Sequence, residues 1–428
     1  MKSIRICVAI TLAVLLVSEY ASAQERDQQG EHLLFDVAED HLWNVAYKTL
    51  FGNVGSDHSK VLTRNPRTDG DRAARKLLDG DNSAKAIDLL DRLIDAKDIA
   101  HAQSPVEQVV MQRGAWKLFD WFAANTDGAD ATSRKLRVRL AKFMLMIALT
   151  EDEITNLPNN YNTKLLNNNA KTEVRAINDL DLPKELFANE GNWLQVTYKS
   201  RGRIAVAHED AHGGRSEFLL FLHFSNAPDV GKPYVRQFND FAAYAAQRRS
   251  LKLRGITPPA NAPVKNFPEF PQGTQAILLQ RMMVVTRLGV PRPTSIVESI
   301  EFSEFTPTFD RETTRRHRRK FAAFKTSLGH LLRQEKATLR RVVEGEPVFG
   351  AGFFPRGLQQ CTQCHNGPGL LSFGTVGFSR HSDRPLDVSV KILPNGSPGT
   401  TSKWKAGRYE YGLLKGILDS EIEAKVSD

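Results

Sequence analysis

Cys361-Thr362-Gln363-Cys364-His365 is a complete CxxCH run, and no other part of the 428-residue chain constrains its fold as much. In this pattern two thiols add across the vinyl groups of a haem and the adjacent imidazole binds its iron, so anchoring and axial ligation come from five residues. A segment built this way folds around a macrocycle, which takes the place of much of an apolar core. The chain has three cysteines, and the third, Cys7, lies in the N-terminal apolar run. No second cysteine pair is present to complete a four-ligand zinc site. A dithiol redox motif would be followed by a helix, whereas Asn366-Gly367-Pro368-Gly369 follows here. A local Cys361–Cys364 disulfide is the remaining alternative to haem.

Covalent haem attachment of this kind is completed outside the bacterial inner membrane, and the N-terminus agrees with export. Lys2 and Arg5 precede an apolar run from Ile6 to Val17, and Ala21-Ser22-Ala23 offers a small-residue cleavage site before Gln24. The run is shorter than the ~20 residues a membrane-spanning helix needs. Residues 1–23 therefore read as a signal peptide, with a periplasmic or secreted mature chain and no transmembrane segment. The net charge of +9 favours an acidic partner or surface. The densest basic run is Arg311–Lys320, with Arg315, Arg316, Arg318 and Arg319 around His317. It reads as a solvated helix turn or a docking patch for an acidic redox partner protein, and an exported chain gives no reason to expect nucleic acid.

The hydrophobic period changes along the chain. Leu33 to Val45, Ala86–Ile94, Val106–Phe122 and Leu136–Leu149 carry apolar residues at three-and-four spacing, which predicts a helical bundle. Trp116, Trp121, Met144 and Met146 read as its core, and Ser83 as a helix N-cap. Asn159–Asn169 reads as a linker. Trp193–Tyr198, Arg203–His208, Ser216–Phe224, Gln275–Thr286 and Ser295–Phe305 read as strands, with a helix near Val235–Leu251 and a loop at Val290–Pro293. Residues 312–344 carry Phe321, Phe324, Leu328, Leu331, Leu332 and Leu339 on one helical stripe. A loop-rich segment with frequent Gly and Pro follows and ends in a helical patch at Tyr409–Leu418. The expected architecture is multidomain and mainly α: a helical domain at 24–185, an α+β domain with an antiparallel sheet at 186–310, and a haem domain at 311–428.

The segment from Gly345-Glu-Pro-Val-Phe349 through CxxCH to the Tyr409–Leu418 patch resembles a monohaem cytochrome c domain of the class I type, in which a Gly-x-x-x-Phe/Tyr helix precedes the motif. Class I domains place the motif only a few residues after that Phe or Tyr, whereas Ala351–Gln360 intervene here, and the run Phe349 to Cys361 is similar instead to the stretch before the first haem motif of dihaem cytochrome c peroxidases and MauG-like proteins. That group carries two such motifs, and this chain carries one. The resemblance implies an α-helical haem domain with one haem c per chain, Cys361 and Cys364 as thioether positions and His365 as the proximal iron ligand.

Class I domains take a methionine as the sixth ligand, and no Met follows Met283. His381 is the one histidine downstream of the motif and is the first candidate for the distal position. His330 is a second, while Met282 and Met283 sit in a strand pattern and read as core. Two strong axial ligands give an electron-transfer site, and an open position gives peroxidase-like chemistry. Arg356, Arg380, Arg384 and Arg408 are candidate propionate partners. Phe353, Phe354, Phe373, Phe378 and Trp404 are candidate pocket walls.

A separate motif lies in the middle region. His208-Glu209-Asp210-Ala211-His212 matches H-E-x-x-H, in which two histidines one helical turn apart bind zinc and the Glu is a general base. Its context argues against it: His208 ends an alternating run and Gly213-Gly214 follows at once, as on a hairpin turn, with Glu217 and His223 the nearest candidates for a third ligand. A zinc-dependent hydrolase fused to a haem domain is thus an alternative from another class. The expectation is an exported haem protein performing one-electron transfer, more a carrier than an enzyme.

Overall fold

The structure is a computed structural model, and it describes residues 35, 40–51, 68–96, 104–126, 130–161, 164–166, 181–188, 192–198, 204–224, 231–256, 269–305, 319–342, 369–370, 390–393 and 401–427. Six helices come first: α1 (Leu42–Phe51), α2 (Thr68–Leu78), α3 (Asn82–Asp95), α4 (Pro105–Asn125), α5 (Ala131–Met146) and the short α6 (Glu151–Thr155). The start of α4 is written in Ser104-Pro105-Val106-Glu107. Ser104 Oγ accepts from the Glu107 N–H at 3.3 Å, the Glu107 carboxylate accepts from the Ser104 N–H at 2.8 Å, and Pro105 takes the first position, where its missing N–H costs nothing. Thr150 and Glu153 repeat the device at α6. The N-cap of α3 is Asp81, not the expected Ser83.

Helix α4 is buried nearly all round, through Val106, Val109, Val110, Met111, Ala115, Trp116, Leu118, Phe119 and Phe122, so it is the axis about which the bundle packs. Its Gly114 lies so close to the Phe51 ring that an added Cβ would sit 2.5 Å from it. The expected core residues Trp116 and Met144 are fully buried, and Trp121 and Met146 pack against the same core half-buried.

The strands are β1 (Leu194–Tyr198), β2 (Ser216–His223), β3 (Gln275–Val285), β4 (Pro291–Phe305), β5 (Arg319–Thr326), β6 (Leu339–Arg341) and β7 (Val390–Leu393). They form one seven-stranded sheet in the order β6-β5-β4-β3-β2-β1-β7, and every neighbouring pair is antiparallel. The remaining helices are α7 (Val206–Ala211), α8 (Gly231–Leu253), α9 (Leu328–Leu332), α10 (Thr401–Ala406) and α11 (Tyr409–Ser427). Both sheet faces are covered. Phe218, Leu220 and Leu222 face one side with Tyr234, Val235 and Phe238 of α8, and Leu219 and Phe221 face the other with Leu182, Leu186 and Trp193.

The sheet does not stop where the bundle begins. Register shifts between Gln280 and Met283 bend the β3–β4 hairpin, and its end carries Met282, Met283, Val284, Val285 and Ile296 into the bundle's own apolar core. Leu414 and Leu418 of α11 and Leu328 and Leu331 of α9 enter that core too.

Several expectations need correction. The chain is a mixture of helix and sheet, with helix the larger share among the described residues. No continuous helix runs over 312–344: within its described part, residues 319–326 are strand β5. Phe321 and Ala323 lie on one face of β5 and Ala322 and Phe324 on the other, all buried, and a strand buried on both faces shows a continuous apolar run that a helical stripe can imitate. Arg203–His208 does not form a strand either, because helix α7 starts at Val206. The loop expected at Val290–Pro293 lies earlier, since β4 starts at Pro291 and the turn runs over 286–290 with Gly289 at φ +69°. The Tyr409–Leu418 patch continues to Ser427 and packs on α4 and α5. Among the described residues of 311–428, β5, β6 and β7 thus extend the sheet and α11 completes the bundle. No described helix is long and apolar enough to cross a membrane.

The Asn-rich stretch is no free linker at its start. Asn160 is buried, its Oδ1 accepts from the Val297 N–H at 2.6 Å, and its amide donates to Val297 O, Thr326 Oγ1 and Thr338 Oγ1 at 3.1, 2.9 and 3.1 Å. One side chain thus ties the end of the bundle to β4, β5 and the approach to β6. Removing a partner from buried groups leaves their desolvation uncompensated, so Asn160→Ala is expected to cost about 2–4 kcal/mol, against under ~1 kcal/mol for exposed Asn159→Ala. Urea denaturation of the two variants measures the difference.

Candidate functional site

Charged side chains are rare inside a helix that is buried nearly all round, and α4 buries two, Arg113 and Asp120. Each is the centre of a buried polar group where the bundle meets the sheet. Arg113 donates to Glu298 on β4 at 3.3 Å and to Ser216 Oγ, the first residue of β2, at 2.7 Å. Ser216 Oγ in turn donates to Glu298 at 2.5 Å, and the Gln280 amide on β3 donates to Glu298 at 2.8 Å and to Ser216 at 3.0 Å. One helix and three strands therefore share a single hydrogen-bonded knot. About two helical turns away, Asp120 Oδ2 accepts from Arg215 at 2.5 Å and from Lys405 of α10 at 2.6 Å. The Lys405 ammonium also lies 5.3 Å from the centre of the Trp116 ring.

The turn between α7 and β2 brings these groups together. Gly213 and Gly214 have φ of +60° and +70°, a region that costs a side-chain-bearing residue strain, and a Cβ on Gly214 would meet the Trp404 ring at 2.6 Å. Burial pulls the Arg113 guanidinium and the Lys405 ammonium below their ordinary values, opposed by Glu298 and Asp120 respectively. His212 is held well below the ordinary histidine range, first by burial and then by the charges of Arg113, His208, Arg215 and Lys117.

His208 and His212 do sit one helical turn apart, contrary to the expected hairpin, since the His212 N–H donates to His208 O at 2.9 Å. Glu209 is fully buried, and its Oε1 accepts from the Ile204 and Ala205 N–H groups at 3.1 and 3.4 Å, which fastens the start of α7. The candidate third ligands are elsewhere. His208 and His212 pack on Phe218, whereas Glu217 and His223 point to the opposite face of β2, where Glu217 pairs with Arg281 at 3.6 Å and His223 stacks on Trp193. Among the described residues no group of three or more His, Cys, Asp or Glu is placed to hold a metal ion. Ser216, enclosed on all sides, cannot meet an outside substrate. The junction is thus built to join layers.

Cys361, Cys364, His365 and His381 lie outside the described residues, as do the signal peptide, Arg356, Arg380, Arg384, Phe353, Phe354, Phe373, Phe378 and residues 311–318 of the basic run. Arg408 is described: it donates to Glu410 at 3.1 Å and lies over the Trp404 ring. His330, on α9, pairs through Nδ1 with Glu335 at 2.5 Å. Met282 and Met283 are fully buried in the core.

Three described points bracket the CxxCH segment in sequence. β6, before it, is one edge of the sheet, and β7, after it, is the other edge. Between them, Leu370 is fully buried on the Tyr234 face, where its N–H donates to the Tyr234 hydroxyl at 3.1 Å and Tyr234 stacks on Phe270.

Sequence reasoning missed Arg113, Asp120, Gln280, Glu298 and Lys405. The readable signal was the charges inside the largely apolar stretch Val106–Phe122, of which Arg113 and Asp120 prove buried, because an unpaired buried charge is costly and must find a partner elsewhere in the chain. Breaking such a pair by removing one member leaves a buried charge, so Glu298→Ala is expected to cost about 3–5 kcal/mol. Lys405→Met, which keeps the stem and leaves Arg215 on Asp120, should cost about 1–2 kcal/mol. Equilibrium denaturation of the two variants measures both. Comparison of the chain with family models, with curated proteins and with solved structures finds no match.

Proposed function

We propose that this chain is an exported c-type haem protein that passes electrons one at a time through a single haem, attached at Cys361 and Cys364 with its iron held by His365. The observation that carries the reading is the complete CxxCH run, which uses every cysteine beyond the N-terminal apolar run. The donor set fits the group: two thiols at the spacing of the thioether bonds, and an imidazole next to the second. When bound, the haem supplies a one-electron iron couple whose potential follows the axial ligands and the burial of the ring.

The chain's own residues would attach, ligate and shield the cofactor. Leu370 lies five residues after His365, so covalent geometry limits the separation of their Cα atoms to about 18 Å. Leu370 itself sits on the Tyr234 face of the sheet, beside the aromatic group of Phe224, Tyr234, Phe270 and Phe305. The basic balance of the chain suits an acidic redox partner.

A second reading rests on the absence of any methionine after Met283. If His381 does not occupy the sixth position, the iron is open to peroxide, and a peroxidase-like activity follows. The zinc-hydrolase alternative has less support, because Glu209 is committed to the backbone and the nearest candidate third ligands face away.

Protein matured in a host that attaches c-type haem is expected to give a thioether-type pyridine-haemochrome spectrum with one haem per chain. Cys361→Ser with Cys364→Ser should abolish covalent haem. A haem-free wild-type chain from such a host would reject the reading. A low-spin ferric spectrum that turns high-spin in His381→Ala assigns the carrier, while a high-spin wild type that reacts promptly with peroxide assigns the enzyme.

A further inference from the structure

The Gln280 side chain cannot turn over. Its Nε2 donates to the Glu298 carboxylate at 2.8 Å, and a carboxylate only accepts, while its Oε1 accepts from Ser299 Oγ at 2.7 Å. The same Nε2 lies 3.3 Å from His212 Nδ1. With the amide pinned, its nitrogen offers no acceptor, so a proton on Nδ1 would find no partner at Gln280, and the arrangement favours the neutral ring with its proton on Nε2. Protonating it would set two N–H groups against each other in a site where His212 is 5 % exposed.

We propose that His212 is an acid-sensitive latch: adding a proton to its ring opens the junction between the helical bundle and the sheet. The charged and titratable groups around it come from every element that packs there. From α4 come Arg113, Lys117 and Asp120; from its own helix His208 and Glu209; from the turn Arg215; from β4 Glu298; from α10 Lys405. The two carboxylates at the centre of the knots are already engaged, Asp120 by Arg215 and Lys405 and Glu298 by Arg113, Ser216 and Gln280. A new cation thus enters a group already rich in cations, and its nearest fixed neighbour, the Gln280 amide, offers a hydrogen where an acceptor is needed.

The sign of the effect follows from linkage. The closed state holds His212 below the ordinary value of 6.5, so the open state binds the proton more tightly. Stability at the junction is complete above that value and falls as the pH drops through the window beneath it. A chain outside the cell meets such a range of pH without the buffering of the cytoplasm.

Hydrogen exchange of backbone amides, corrected for the intrinsic pH dependence, tests the latch in the full-length protein. Peptides spanning 106–118 and 206–220 should open up to about tenfold more for each pH unit below the histidine range, the limit for one linked proton, while the α3–α5 contact does not change with them. His212→Gln, which carries no titrating group, should remove that dependence. Equal pH dependence in wild type and His212→Gln overturns the proposal. In case the variant does not fold, exchange of the imidazole C2 hydrogen reads His212 in the wild type directly. Titration well below its solvent-exposed counterparts, in step with the opening of the junction, supports the latch; titration in the ordinary histidine range overturns it.

Discussion

Arg113 has to be paired with Glu298, and much of the architecture follows from that requirement. An arginine buried in the middle of an apolar helix costs several kcal/mol unless a carboxylate meets it with good geometry, and the carboxylate that does so belongs to a strand 185 positions later in the chain. The pairing therefore fixes how the bundle sits on the sheet. Ser216 and Gln280 add β2 and β3 to the same knot, and Asp120 draws in the turn before β2 and helix α10. An apolar interface of the same size would hold these layers together at least as strongly, but it would tolerate sliding, whereas six directed hydrogen bonds among four elements do not.

The hairpin end of β3 and β4 supplies the apolar half of the same join. Met282 to Val285 continue a strand whose first half lies in the sheet's own core, and the bulge near Arg281 redirects the second half into the bundle. Gln112, one residue before Arg113, bonds both the Val285 N–H and the Val285 carbonyl at 2.8 Å, so the hairpin tip is gripped by side chain as well as by packing. The C-terminal helix closes the arrangement, with the Tyr411 hydroxyl donating to the Gly289 carbonyl in the hairpin turn. Chain termini far apart in sequence thus finish one shared core.

Local signals were legible where one element's pattern is set by its own burial. The helices α3 and α5 show the three-and-four period because each turns one broad side inward; α4 is buried nearly all round, and the Ser104 capping box that marks its start went unread. β5 was misread because its burial on two faces erases the period-two alternation, leaving Phe321, Phe324 and Leu328 to imitate a helix. α7 was misread because what starts it is the Glu209 carboxylate reaching back to Ile204 and Ala205, a contact no periodicity records. Asn160 looked like a polar linker residue for the same reason: its three partners, Val297, Thr326 and Thr338, lie 137 to 178 positions away, and nothing nearby marks it. The polar junction was invisible as a site because each member is ordinary alone.

The CxxCH motif and the junction constrain the chain in different ways. CxxCH is a local code, complete in five residues and readable without any fold. The junction is the reverse, a set of common residues that acquires meaning from long-range assembly. Between them runs the sheet, whose two edge strands β6 and β7 flank the motif in sequence, so the polypeptide that carries Cys361 to His365 leaves one edge of a rigid platform and must return to the other. Six strand spacings of about 4.8 Å separate those edges, close to 29 Å. The 48 residues between Arg341 and Val390 span that easily, with Leu370 held partway at Tyr234. A crossing much longer than the gap has chain to spare, and the haem proposed above would draw on that excess.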